Sequence, residues 1–262
     1  MQSRIGSVEL IGALAAITRA CGRQQSASFN PLVLVQLSPQ RLSITRASID
    51  TVARRTIPVD SDLTITFTLP AIPLHDLLQV VTGADLELDV EERTVRLRVG
   101  MFDTHLPKGK PDDFLMPAID RGSTCVKVDG RQFAQAGSRV AFAKSDNENQ
   151  PRLHGIFLDA RDNEVIVAAT DGHRAAEART QATVLRSLER VIVPARPIAE
   201  LGSILRVDGV SLDLVAPERT NWLRIESGDD YVQTQLIDGQ YPNYSDVRPQ
   251  VRLPGWRLTS TG

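Results

Sequence analysis

The sequence is poor in cysteine and in aromatic residues, and it has no long apolar run. Two cysteines, Cys21 and Cys125, are too few for a disulfide framework. Together with four histidines they show no metal-ligand spacing, so we expect no metal and no cofactor. No apolar run approaches the roughly 20 residues that span a bilayer, and Glu9 interrupts the start where a secretory signal needs apolar residues. We therefore expect a cytoplasmic protein without a membrane partner.

The chain also lacks an excess of either charge. It has 30 basic and 32 acidic side chains, for a formal net charge of −2. Sequence-specific DNA-binding proteins are usually basic, so the balance does not favour that class. Contact with nucleic acid would need basic residues concentrated on one face. No set of nucleophile, base and oxyanion donors stands out, which argues against an enzyme.

An internal repeat is the most informative feature that is present. Pro70 and Pro73 recur as Pro194 and Pro197, each pair 124 positions apart, and each pair follows a β-rich run. Further matches keep the same order: Glu92-Arg-Thr with Glu218-Arg-Thr, and Gly109 to Phe114 with Gly239 to Tyr244.

Each copy has the same predicted elements. A first helix carries apolar residues at helical spacing: Val8, Leu10, Ile11, Leu14 and Ile17 in one copy, Phe133, Ala136, Val140 and Phe142 in the other. Strands follow, then a helix with proline in its first turn, predicted from Leu74 to Val81 in the first copy, and then closing strands. A repeat of about 125 residues is a typical domain size. The sequence therefore predicts two tandem α+β domains, residues 1–120 and 121–250, each with two helices packed on antiparallel sheets.

Three segments of the second domain are specific enough to suggest a family. They run from Phe142 to Gly155, from Ala168 through Thr-Asp-Gly-His-Arg to Ala176, and from Gln235 through Leu-Ile-Asp-Gly to Tyr244. In this order and spacing they resemble the middle domain of the bacterial replicative sliding clamp, the DNA polymerase III beta subunit. The first domain resembles the family more weakly, through its proline-started helix and the segment from Leu106 to Pro117.

The resemblance implies a non-catalytic processivity factor. Clamp subunits associate head to tail into a ring of six similar domains, which encircles duplex DNA without sequence preference. Partners are held by short linear motifs, which raises their local concentration. The expected partners are duplex DNA, the replicative polymerase, the clamp loader and repair proteins. Two association states stay open: a ring in which three copies supply the six domains, and a truncated clamp that is monomeric or weakly associated.

The resemblance also implies a peptide-binding cleft with a middle-domain half. The corresponding residues here are Leu153, Thr170, Gly172, His173, Arg174, Pro242 and Val247. A second reading of Thr-Asp-Gly-His-Arg is local: a tight turn in which Asp171 bonds backbone amides and Gly172 has a positive φ. Both readings can hold together.

The inner wall of such a ring should contact phosphates through basic residues on helices and neighbouring loops. We predict Arg19 and Arg23 after the first helix, Arg131, Arg139 and Lys144 on the third, Arg196 and Arg206 on the fourth, and Gln150 and Arg152 in a loop. The alternative for each residue is an ordinary solvated surface charge. The second helix carries Asp76 and no basic residue, which leaves its part in a positive bore doubtful.

Three departures from the family pattern affect the prediction. Ala175 stands where leucine is usual, and Asp246 stands where a basic residue is common. The family's third domain is missing, and residues 251–262 are interpreted as a tail or a stub of it. The main alternative is therefore a truncated clamp that acts as a peptide-binding adaptor or decoy without encircling DNA. A hydrolase or metal enzyme built around His173 is disfavoured, because no catalytic set accompanies it.

Overall fold

A computed structural model of the protein describes residues 2–22, 31–80, 85–117, 122–147, 149–216 and 221–243. Within these ranges antiparallel strands dominate and a few helices pack against them, which confirms the predicted α+β class. Among the helices of these residues, none has the length and apolar character to cross a membrane.

The described residues of the first repeat form two helices and two groups of four paired strands. Its elements are β1 (Gln2–Gly6), α1 (Ser7–Cys21), β2 (Leu32–Ser38), β3 (Arg41–Ala47), β4 (Thr51–Pro58), β5 (Ile65–Pro70), α2 (Ala71–Val80), β6 (Asp85–Val90), β7 (Thr94–Val99) and β8 (Phe102–Pro107).

The second repeat has the same order, with two short helices in place of α2. Its elements are β9 (Ser123–Asp129), α3 (Gly130–Val140), β10 (Gly155–Arg161), β11 (Glu164–Thr170), β12 (Ala175–Val184), β13 (Leu188–Pro194), α4 (Ala195–Ala199), α5 (Leu201–Ile204), β14 (Ser211–Ala216), β15 (Trp222–Ser227) and β16 (Asp230–Gln235).

Strand pairing repeats as well as element order. The sheet order β1-β6-β7-β8 is matched by β9-β14-β15-β16, and β5-β2-β3-β4 is matched by β13-β10-β11-β12. Pro70 and Pro194 each end the strand that precedes the second helix of their repeat. The sequence repeat therefore corresponds to a repeat of structure.

The helices differ from the sequence prediction in detail. The helix predicted to begin at Leu74 begins at Ala71 and ends at Val80, with Pro73 in its first turn, where a proline costs no hydrogen bond. Val8 was expected on the apolar face of α1, but it is 72% exposed while Leu10 and Leu14 are buried. Two residues along a helix turn the side chain by about 200°, so Val8 lies opposite Leu10. Burial along α1 follows the helical period.

The core joins both domains beneath the sheets. Buried side chains of α1 and α3, among them Ile17 and Phe133, belong to one continuous apolar cluster with strand residues of both repeats. Gly137 allows α3 and α4 to approach closely, since an added Cβ there would lie 2.6 Å from Ile198 Cγ2. The helices α1, α3, α4 and α5 contact one another and form a layer that continues across the domain junction.

The two domains are joined by strand pairing. β16 pairs antiparallel with β4, from Tyr231↔Arg54 to Thr234↔Thr51, so that strands of both repeats form a twelve-stranded sheet. At this junction the Asp230 carboxylate accepts hydrogen bonds from the Thr56 amide at 2.6 Å and from Arg55 Nη1 at 3.0 Å. Burial raises the pKa of Asp230 above its ordinary value, and the Arg55 charge opposes that shift. The junction therefore contains a largely buried ion pair.

Candidate functional site

The turn between β11 and β12 is held by one carboxylate. Asp171 Oδ1 accepts the backbone N–H groups of His173 at 2.9 Å and of Arg174 at 3.0 Å. Gly172 has φ +92°, a backbone conformation that favours glycine. The hydrogen bond from the His173 amide has the largest effect on the pKa of Asp171 and lowers it. The hydrogen bond from the Arg174 amide and the Arg174 guanidinium lower it further. The predicted local turn is confirmed, and it leaves Gly172, His173 and Arg174 exposed.

Thr170 connects this turn to the end of the domain. Its backbone N–H donates to the hydroxyl of Tyr241 at 2.9 Å, and its own hydroxyl donates to the Arg174 carbonyl at 2.6 Å. The Gly172 amide donates in turn to the Thr170 hydroxyl at 3.1 Å. Burial raises the pKa of Tyr241 to about 12. The turn is thus fixed to a buried phenol 71 residues away in sequence.

A small apolar cluster lies beneath the turn. Leu153, Phe157, Ala168, Ile192 and Tyr241 are buried together, and the rings of Phe157 and Tyr241 have centroids 5.2 Å apart. Pro242 follows Tyr241 directly and is half-buried. The predicted cleft residues Leu153, Thr170 and Pro242 therefore gather around Tyr241. Val247 lies outside the described residues.

Sequence reasoning missed two aromatic side chains of this region. Tyr241 lies within the family-like segment from Gln235 to Tyr244, but the sequence pattern assigns it no role. Phe142 was assigned to an apolar helix face, but it lies in a 3-10 turn, Ala141–Ala143, after α3 ends, and is 62% exposed. The Arg174 guanidinium stacks over its ring at 5.4 Å from the centroid. Phe142 and Arg174 thus place an aromatic and a cation together at the rim of the turn.

The predicted DNA-binding residues fall into two groups. In the first group the charge is paired: Arg19 with Glu200 at 2.8 Å, Arg131 with Asp208 at 3.8 Å, and Lys144 with Asp146. Two of these placements are wrong. Arg19, predicted after the first helix, lies in the last turn of α1, and Lys144, predicted on the third helix, follows the 3-10 turn after α3 ends at Val140.

In the second group no ion pair is seen within the described part of the chain. Arg139 lies on α3, Arg152 on a 3-10 turn, Pro151–Leu153, and Arg196 on α4, and all three are exposed. Arg206 is also exposed, but it lies two residues beyond α5 and not on the predicted fourth helix. Gln150 is exposed beside Arg152, and Arg23 is outside the described residues. Among the described members of the predicted set, the cations without an ion pair therefore lie on the second domain.

Some of the predicted DNA-binding residues line a groove at the domain junction. Its volume is about 500 Å³, and its lining includes Lys144, His154 and Arg196 of the second domain with Asp50 and Thr51 of the first. Among the residues of α2 none is basic, and Asp76 is exposed. The helical layer is thus more basic on the second domain than on the first.

Comparisons with known proteins agree with this architecture. Residues 127–243 match the model of the DNA polymerase III beta subunit, central domain. The beta sliding clamp of Caulobacter vibrioides is 26% identical over 259 residues, covering 95% of this chain and 69% of the relative. That of Synechococcus elongatus is 25% identical over 224 residues, covering 84% and 60%.

Solved structures show the same fold. The sliding clamp of Pseudomonas aeruginosa bound to griselimycin superposes with a TM-score of 0.81 at 24% identity, covering 96% of this chain and 68% of that one. The chain thus spans between three fifths and seven tenths of the length of these relatives. With the duplicated domain and the Thr-Asp-Gly-His-Arg turn at its place in the second repeat, residues 127–243 belong to the family of the DNA polymerase III beta subunit central domain, and the chain as a whole is similar to the beta sliding clamps.

Proposed function

We propose that this chain is a clamp-type processivity factor, in which residues 1–120 and 121–250 act as two clamp domains. The helical layer contacts duplex DNA without sequence preference, and the turn of the second domain captures short linear motifs. The polymerase, the clamp loader and repair proteins are the partners assigned to that turn. The chain itself performs no chemistry in this proposal.

One observation carries the proposal. The helices α1, α3, α4 and α5 form one layer across both domains, and the exposed cations Arg139 and Arg196, which form no ion pair with any described residue, lie on it. Cations on a continuous helical surface attract phosphates through charge alone, which gives affinity without reading bases. The half-cleft supports the tethering role, because its apolar cluster and polar turn are the features that anchor peptides.

A second candidate is an adaptor that binds clamp partners but does not hold DNA. It is favoured by the charge of the first domain's helices, where Glu9 and Asp76 are exposed and Arg19 is paired with Glu200. Such a surface contributes little attraction for phosphates.

Fluorescence anisotropy with labelled DNA separates the two candidates. We would titrate two duplexes of unrelated sequence with the purified chain over a series of salt concentrations. The processivity factor should bind both duplexes equally, with the logarithm of affinity falling linearly with the logarithm of salt. Affinities that differ about tenfold between sequences would contradict it. The absence of DNA binding, with polymerase-derived peptides still bound, would establish the adaptor.

A further inference from the structure

The sheet at the domain junction has a second face, on the side away from the helices. Ala53 and Val232 belong to the core shared with the helices. Because successive side chains of a strand point to opposite faces, their neighbours Val52, Tyr231 and Gln233 lie on the far side. Cross-strand pairs extend this far side over both domains. We call it the junction face and define it by Thr45, Val52, Arg54, Arg224, Tyr231 and Gln233.

An apolar cluster on the junction face is built from both domains. The first domain supplies Ala47, Val52 and Phe114, and the second domain supplies Tyr231. The pair Ala47↔Val52 closes a four-residue turn, as the last pair of β11 and β12 does. The first domain thus repeats the arrangement of a turn next to an apolar cluster, and here the following domain completes the cluster.

Several buried polar atoms of the junction face lack a hydrogen-bond partner. Within the described part of the chain, nothing bonds to Thr45 Oγ1, to Arg54 Nε or to either amide atom of Gln233. Thr45 is 1% exposed and Gln233 is 2% exposed, so water is also largely excluded. An unsatisfied buried donor or acceptor lowers stability, and folded proteins contain few of them. The Gln233 amide therefore holds a donor and an acceptor that are available to a ligand.

Arg54 adds a cation to the junction face. It is half-buried, and its Nη2 atom donates to the hydroxyl of Ser43 at 3.1 Å. Within the residues that the structure describes, no carboxylate forms an ion pair with it. Arg224, by contrast, is paired with Glu226 at 2.6 Å and stacks over the Tyr231 ring at 3.9 Å from the centroid. A guanidinium binds a carboxylate in a planar, bidentate geometry. The charge at Arg54 is therefore complementary to an acidic ligand.

We propose that the junction face is a docking site for an extended acidic segment of a partner protein. A carboxylate of the segment pairs with Arg54, and an apolar side chain packs on the cluster around Tyr231. In an extended segment the N–H and C=O of one residue lie on the same side, so that residue satisfies both amide atoms of Gln233. The site is separate from the Thr170–Arg174 turn. The inference goes beyond the proposed function and depends neither on DNA binding nor on peptide capture at that turn.

Gln233→Met distinguishes a ligand-binding amide from a structural one. Methionine is similar to glutamine in length and has no donor to satisfy, so the variant should unfold at a higher urea concentration than the wild type. Its affinity for the acidic segment should nevertheless fall. Urea unfolding followed by circular dichroism measures the stability. A lower unfolding midpoint for Gln233→Met would show that the amide stabilises the protein without a ligand, and would overturn the proposal.

An array of short synthetic peptides supplies the ligand. Each peptide combines one aspartate and one leucine with serine and alanine, and the array varies their order and spacing. Bound sequences are labelled and titrated by fluorescence anisotropy. We expect saturable binding of a subset, weakened about tenfold or more by Arg54→Gln, by Gln233→Met and by asparagine in place of the aspartate. Circular dichroism verifies that the variants are folded. Gln233→Met, the more stable variant, carries the test if Arg54→Gln does not fold.

Two control variants leave the junction face intact. Arg4→Gln removes an exposed arginine from β1, and Arg174→Ala alters the turn of the second domain, so the affinity should be unchanged in both. Binding that survives Arg54→Gln and Gln233→Met but is lost in Arg174→Ala would place the peptide at that turn and contradict the proposal. The absence of binding by any peptide would contradict it as well. A mass that rises with concentration in light scattering, but not in Arg54→Gln, would assign the face to a second copy and would equally overturn the proposal.

Discussion

The hydroxyl of Tyr241 accepts a hydrogen bond from the backbone amide of Thr170, with 2.9 Å between oxygen and nitrogen. Both residues are buried, so the bond is shielded from water. It joins the last residue of β11 to the segment that follows β16. The exposed turn from Asp171 to Arg174 is thereby held over the apolar cluster of Leu153 and Phe157.

We first predict that Tyr241→Phe destabilises the second domain. The Thr170 amide would lose its partner inside the protein, and an unsatisfied buried donor costs about 1–3 kcal/mol. Urea unfolding followed by circular dichroism measures the change. Phe102→Tyr, on an exposed hairpin, is a control for altering one aromatic hydroxyl, and its unfolding midpoint should stay close to that of the wild type. A Tyr241→Phe midpoint equal to the wild type would show that the hydrogen bond contributes nothing.

The raised pKa of Tyr241 predicts a loss of stability at high pH. The phenol titrates near 10 when unfolded and at about 12 when folded, so the folded state retains its proton longer. Its contribution is therefore fully present below the unfolded pKa and is lost as pH rises from there through the folded value. Urea unfolding at about pH 9 and about pH 11 should show a smaller decline for Tyr241→Phe than for the wild type. Identical declines in the wild type and in Tyr241→Phe would be inconsistent with a raised pKa of the Tyr241 phenol.

At the domain junction, Arg55→Met should lower the free energy of unfolding of the protein far more than Arg41→Met. Arg55 and Asp230 have side-chain exposures of 20% and 6%, and the variant leaves a buried carboxylate without its cation. Removing one partner of such a pair costs about 3–5 kcal/mol. The Arg41–Asp229 pair is exposed at 64% and 59%, so its loss should cost less than about 1 kcal/mol. Thermal unfolding of both variants measures the difference, and equal effects would refute a special role for Asp230.

The helical layer predicts a defined response to charge removal. Arg139→Gln with Arg152→Gln should weaken binding of all duplex sequences alike and reduce the salt slope by about one for each lost phosphate contact. Lys127→Gln is the matched control, because Lys127 is exposed on strand β9 and belongs to the sheet. Anisotropy titrations over a salt series measure both. If Lys127→Gln lowers the affinity for DNA as much as the double variant Arg139→Gln with Arg152→Gln, phosphate contact does not depend on the helical layer.

Much of the fold was predictable because the chain repeats itself. Proline pairs at fixed spacing predicted a helix after a strand in each copy, and the apolar period of α1 predicted its buried face. The edges of elements were less predictable. Capping and tertiary packing set where a helix begins, and α2 starts three residues before the predicted Leu74.

In the candidate site, the turn between β11 and β12 could be predicted from the sequence, whereas the residues that pack beneath it were less predictable. Asp171 and Gly172 have short-range roles that a local motif reveals. Tyr241 acts through a contact across 71 residues, and no local pattern indicates such a partner. Leu153 was interpreted as a cleft wall, and it is 4% exposed within a core cluster. Leu153→Ala would therefore lower stability by about 2–5 kcal/mol and is a poor probe of peptide binding.

The most direct test of the account is peptide capture by the Thr170–Arg174 turn. Overlapping labelled peptides that tile the replicative polymerase of the same organism would be titrated with the chain and followed by anisotropy. We predict saturable binding of a small subset of peptides, weakened about tenfold or more by Arg174→Ala, which removes the contacts with Asp171 and Phe142. Lys127→Ala should leave the affinity unchanged. No binding by any peptide, or equal affinity in wild type and Arg174→Ala, would contradict a clamp that tethers its polymerase through this turn.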